Sequence, residues 1–122
     1  MANIYIVDDS PTEVHVLKAM LEKIGHTVES SDNAEAGIEQ ITAKKPDLVL
    51  MDVVMPGMNG FQATRALTKA PETENIPIII VTTKDQETDK MWGLRQGAKD
   101  YITKPVKENI LIDKINTVLS NL

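Results

Sequence analysis

The chain has 122 residues and carries 13 Lys and Arg against 18 Asp and Glu, a formal net charge of −5. That length suits one domain with room for a sizeable core, while the acidic balance argues against a nucleic-acid binder, which needs a basic face to displace counterions. There is no cysteine for disulfides or thiolate metal sites, and no apolar run approaches the roughly 20 residues that span a bilayer.

Strand-like sequence begins at once with NIYIV (3–7), which leaves no room for a secretion signal ahead of it and reads as a soluble, cytoplasmic chain. With aromatics at 3% and apolar residues at 42%, its core has to be aliphatic. The strand runs into Asp8 and Asp9, adjacent carboxylates whose repulsion calls for a proton, a metal or a cationic partner. Ser10 can N-cap a helix, Pro11 suits its first position and Glu13 completes a capping box. Val14, Leu17, Leu21 and Ile24 form the apolar stripe of that helix, and Gly25 stops it. A weak strand, TVES (27–30), follows. A second helix starts after Asn33, carries Ala34, Ile38 and Ile41, and ends at Lys44-Lys45-Pro46.

DLVLM (47–51) and PIIIVT (77–82) are apolar on both faces, as strands covered on both sides are. Between them a third helix over 59–69 carries Phe61, Leu67 and alanines. A fourth helix covers 86–96, a strand KDYI follows at 99–102, and a last helix runs from 107 through Ile110, Leu111, Ile115, Val118 and Leu119. In the fourth helix Met91, Leu94 and Ala98 share one side, read as the core face, and Trp92 lies well round from it. A large aromatic off the core face is a candidate partner anchor; the alternative is packing on the flank of the third helix.

Strands and helices alternate five times with short connections, which predicts right-handed crossovers and a parallel sheet sandwiched by helices. With no linker, low-complexity tract or repeat, one α/β domain is expected over 1–122. Ligands of such sheets bind at the carboxyl ends of the strands. Asp8 and Asp9 end the first strand, Asp52 the third, Thr82 and Thr83 the fourth, and Lys104-Pro105 follow the fifth. Two like charges ~4 Å apart repel by about 4 kcal/mol at an effective dielectric near 20, so an acid triad is strained and one lysine relieves only part of it. The cluster offers only oxygen donors, which points to a hard divalent cation. Mg²⁺ takes one or two carboxylates and keeps positions open for water or phosphate oxygens, so phosphoryl chemistry is the expectation.

VDDSP, LVLMDVVMPGMNG, VTT at 81–83 and GAKDYITKP at 97–105 resemble, in order and over essentially the whole chain, the receiver domains of two-component response regulators. The resemblance implies a flavodoxin-like (βα)5 fold with strand order 2-1-3-4-5, and a phosphoryl group passed from a histidine kinase to Asp52. It implies Mg²⁺ held by Asp9, Asp52 and the backbone carbonyl of Val54, with Asp8 helping through water. Lys104 would pair with Asp52 and then with a phosphoryl oxygen, Thr82 would bind another oxygen, and Tyr101 would turn inward as Thr82 moves. A cis peptide between Lys104 and Pro105 is implied as well. Val54 and Lys84, two positions beyond Asp52 and Thr82, would flank the phosphoryl group; an aliphatic Val54 has no means of orienting a hydrolytic water.

More narrowly, IVTTKDQETDKMWGLRQGAKDYITKPV and GFQATRALTK are similar to stand-alone receivers of type IV pilus chemosensory systems. That likeness implies control of twitching motility, a CheA-like kinase as phosphodonor, and a role as a phosphate sink or a regulator of the pilus motor. Nothing follows the last helix, so the expectation is a monomer without an output domain, promoting only its own phosphorylation and dephosphorylation. It would act by docking through Trp92, Arg95 and Tyr101 and by a change of the face around the fourth helix, fifth strand and fifth helix. Three rival readings fit less well. An Asp-nucleophile phosphatase wants a second acid where Val54 stands, an FMN carrier wants hydroxyls and amides where Asp8 and Asp9 stand, and a pure interaction module would not keep the complete set.

Overall fold

In the computed structural model, which describes residues 1–121, strand β1 (Asn3–Val7) lies inside a five-stranded sheet with β2 (Thr27–Ser31) on one side and β3 (Leu48–Met51) on the other. β4 (Ile78–Thr82) and β5 (Asp100–Thr103) complete the order β2-β1-β3-β4-β5, and every pairing is parallel. The crossovers are α1 (Pro11–Glu22), α2 (Ala34–Lys44), α3 (Gly60–Lys69) and α4 (Glu87–Arg95), and α5 (Glu108–Ser120) follows the last strand. This is the flavodoxin-like order expected from the sequence.

Because side chains alternate along a strand, the strands other than β2, which buries only Val28, feed more than one core. Ile4, Ile6, Leu48, Leu50, Ile79, Val81 and Ile102 meet Leu17 and Leu21 of α1 and Leu111, Ile115 and Val118 of α5 on one face. Tyr5, Val7, Val49, Met51 and Ile78 meet Ala34 and Ile41 of α2 and Ala63 and Leu67 of α3 on the other. A smaller cluster of Val53, Phe61, Ile80, Ala98 and Tyr101 underlies α4.

Two local expectations need correction. The Ser10 hydroxyl does accept the Glu13 amide, at 3.3 Å, but the Ser10 amide donates to Asp8 Oδ1 at 2.9 Å. An acid two residues back reaches that amide before Glu13 can, so the box does not close. A reciprocal box forms instead on α3, where Asn59 and Gln62 exchange bonds of 2.9 Å.

The larger correction concerns α4. Met91 and Leu94 are not core residues: they are 60% and 49% exposed, as Trp92 is at 49%, and Ala98 is buried only beyond the helix end. The face that meets the sheet is Gly93, where a methyl group would come within 2.8 Å of Ile80 Cδ1 and 3.2 Å of Tyr101. At 100° per residue Met91 then points away from the sheet, and Trp92 and Leu94 lie on opposite flanks. Close backbone approach, rather than an apolar stripe, decides which way this helix faces.

Candidate functional site

The carboxyl end of β1 is locked on both sides: the Asp52 amide, past β3, donates to the Val7 carbonyl at 2.9 Å, and the Asp8 amide donates to the Ser31 carbonyl of β2 at 3.1 Å. This register brings Asp8, Asp9 and Asp52 together, with one oxygen of each within 4.8 Å of the others. Asp8 and Asp52 are buried, at 2% and 7% exposure, while Asp9 opens to solvent. Behind Asp52 the chain is pinned by α3. The Gly60 amide donates to the Val53 carbonyl at 3.0 Å, and a β-carbon at Gly60 would lie 1.9 Å from the Asp52 carbonyl oxygen. Only glycine fits there.

Lys104 enters from the end of β5 with its side chain 8% exposed. Its backbone amide donates to the Thr82 carbonyl at 2.8 Å, and its peptide bond to Pro105 is cis. The ammonium donates to Asp8 Oδ2 at 2.9 Å and to Asp52 Oδ2 at 3.4 Å. The resemblance implies a pairing of Lys104 with Asp52; its shorter bond is to Asp8, a partner that no local sequence signal announces.

Burial pushes the Asp52 carboxyl above its ordinary range and the Asp8 charge adds to this, against the pull of Lys104 and of the Val53 amide, which donates to Asp52 Oδ1 at 2.7 Å. Burial works against the charged form of Lys104, but the Asp8 hydrogen bond and the charges of Asp52 and Asp8 outweigh it and raise its pKa. Three carboxylates facing one ammonium leave two formal negative charges when all are ionised. The donors are oxygens only and Asp9 gives an open side, so the residues present fit a hard divalent cation.

Thr82 is fully buried, and its hydroxyl accepts the Lys84 amide at 3.4 Å. The Tyr101 hydroxyl donates to the Lys84 carbonyl at 2.7 Å, so one residue's backbone links the two side chains. Sequence reasoning missed this role of Lys84, because a backbone link leaves no mark on residue type. Tyr101 is only 7% exposed, and burial, with help from Asp89, Asp52 and Asp85, raises its pKa to about 12. It therefore does not join Trp92 and Arg95 on an outer surface, contrary to the sequence expectation; its ring packs under Gly93 instead. Arg95 is exposed. Trp92 forms one wall of an open groove of about 560 Å³ that also involves Val54, Asn59, Phe61 and Lys84. Val54 is 59% exposed there.

Residues 4–116 match the family model described as response regulator receiver domain. The chain is 64% identical over 120 residues to protein PilH of Pseudomonas aeruginosa, covering 98% of this chain and 99% of that one. Among solved structures it superposes on the chemotaxis protein CheY4 of Vibrio cholerae with a TM-score of 0.90 at 26% identity, covering 97% and 98% of the two chains. The BeF3-activated receiver domain of RstA from Klebsiella pneumoniae gives a TM-score of 0.89 at 30% identity over 96% and 97%.

Proposed function

The chain belongs to the response regulator receiver family, a family of signalling domains rather than classical enzymes, and from that premise we propose that Asp52 accepts a phosphoryl group from a histidine kinase. An Asp52 oxygen forms the new P–O bond while the P–N bond of the donor phosphohistidine breaks and the imidazole leaves. The observation that supports this most is the charge arrangement: a nucleophilic carboxylate beside two further acids and a buried lysine, on one rim of the sheet.

Asp9, Asp52 and the Val54 carbonyl would hold Mg²⁺, with Asp8 contributing through water. When bound, the ion supplies countercharge for the phosphoryl oxygens. Lys104 then shifts toward a phosphoryl oxygen from its bond with Asp8. The Thr82 hydroxyl turns to another oxygen and gives up the Lys84 amide, and through the Lys84 carbonyl that movement reaches Tyr101. The output is a population shift of the α4–β5–α5 face.

The likeness to PilH favours a role in type IV pilus chemosensory control of twitching motility, with a CheA-like kinase as donor and pilus motor components as candidate targets. The deciding experiment is intact mass after incubation with Mg²⁺ and acetyl phosphate. One phosphoryl adduct is expected on the parent, and none on Asp52→Ala or after chelation. An adduct surviving in Asp52→Ala, or no adduct with either acetyl phosphate or a CheA-like kinase, would remove the phosphoacceptor reading. Rapid loss of the adduct, with no spectral change beyond the pocket, would favour a phosphate sink over an active output.

A further inference from the structure

Helix α3 and the later turns of α4 reverse the charge of the whole, the acids of α4, Glu87 and Asp89, lying in its first turn, with Asp89 on the rim of the Trp92 groove. From Asn59 to Ala70 and from Lys90 to Lys99 the sequence holds no acid, although acids outnumber bases 18 to 13 in the chain. Arg65, Lys69, Arg95 and Lys99 are all exposed on these segments, and among the described residues none of the four makes an ion pair. They flank one seam, in which Arg65 Nη1 donates to the buried Gln96 side chain at 3.4 Å and the Thr68 hydroxyl to the Gln96 carbonyl at 2.8 Å.

Above that seam stand Met91 and Trp92, 60% and 49% exposed, with Val54 at 59% on the far wall of the Trp92 groove. Large apolar side chains left half exposed beside a groove suit a contact surface. Its occupant meets the outer sides of two helices and not a strand edge, since β4 lies between β3 and β5 in the sheet, so strand addition is closed to it. The net charge of −5 opposes a polyanion at longer range.

We propose that the α3–α4 face, formed by Arg65, Lys69, Met91, Trp92, Arg95 and Lys99, docks an acidic amphipathic helix of a partner protein. One apolar side chain of that helix enters the groove beside Trp92, and its carboxylates meet the four free cations. This face shares α4 with the α4–β5–α5 face through which the receiver reading signals, but pairs it with α3 in place of β5 and α5. The docking is tested on the unphosphorylated chain, so it stands or falls apart from that reading.

The test selects a displayed library of random helical peptides on the full chain and repeats it on variants with parent-like melting. Peptides carrying Asp and Glu between apolar residues spaced three or four apart are expected. Their affinity should fall on the order of tenfold or more in Trp92→Ala and, separately, in the Arg65→Glu, Arg95→Glu pair. It should be unchanged in Lys107→Glu, Lys114→Glu on α5. Selected peptides without an acidic bias, or binding that survives the α3–α4 charge reversal, would overturn the proposal. Binding lost in the α5 variant would move the contact to the other face. A random RNA pool and vesicles of phosphatidylcholine with phosphatidylglycerol serve as rival probes, and binding of either through Arg65 and Arg95 in place of peptides would overturn it as well.

Discussion

Helices α1 and α4 both begin past the carboxyl end of a strand, α1 beside Asp8 and Asp9 and α4 beside the groove of Val53 and Val54, but different forces hold them. α1 inserts Leu17 and Leu21, both essentially inaccessible, into a core shared with all five strands and α5. Each such side chain contributes about 1.5–3 kcal/mol by leaving water. α4 inserts no side chain of that kind. It rests on the sheet at Gly93, is tied at its start by the Gln86 amide to Asp89 Oδ2 (3.3 Å) and at its end by Gln96 to α3, and turns its large apolar residues outward. One helix is thus held by apolar burial and the other by close approach and a few polar contacts. The second kind opens at lower free energy, as the proposed movement of Thr82 and Tyr101 would require.

The contrast can be broken most directly at α1. Leu21→Ala should lower global stability by about 3 kcal/mol in urea unfolding, as large-to-small changes at fully buried sites do; a loss under about 1 kcal/mol would mean that α1 is not an apolar anchor. The next test lies under α4. Gly93→Val overpacks against Ile80 and Tyr101, with an expected cost of about 1–3 kcal/mol, and amide exchange should accelerate in α4 and β5 while α1 stays protected. Uniform acceleration would show that α4 belongs to the same cooperative unit as α1.

A pH series sharpens the picture. The Tyr101 hydroxyl has a pKa near 10.0 when unfolded and about 12 in the fold. Its contribution is therefore fully present below pH 10 and is lost as pH rises toward 12, by about 1–2 kcal/mol once solvent access is allowed for. Tyr101→Phe should flatten that part of the alkaline stability profile, and an unchanged slope would argue against a buried hydroxyl on Lys84. The smallest effect belongs to Met91→Ala and Leu94→Ala, each expected within about 0.5 kcal/mol of the parent. A loss of core size at either would restore the sequence-based facing of α4.

These helices also show what can be read from a sequence and what cannot. The stripe of α1 was legible because Leu17 and Leu21 are large and recur at helical spacing. The facing of α4 was not, because the buried position is a glycine and periodicity counts side chains that bury area. The acids of the pocket were legible from their places at strand ends. The pairing of Lys104 with Asp8 was not, since it depends on how far a flexible side chain reaches across β4 and β3. The Asn59–Gln62 cap had a readable signature in its three-residue spacing, whereas the link between Thr82 and Tyr101 had none, running through a backbone.

Lys104 also bears on how the molecule comes to exist. Its partner Asp8 lies 96 positions away in the chain and Asp52 lies 52 away. Contacts of that span form late, after loop closure has been overcome by nearer ones. Lys104→Ala is then expected to hasten unfolding and leave the folding rate unchanged, and slowed folding would contradict a late contact. Once β1 and β3 pair, the three acids face one another without a cation until the fifth strand docks and brings Lys104. The charge balance of the pocket thus comes with completion of the fold, and a half-made chain holds Asp52 without the cation beside it.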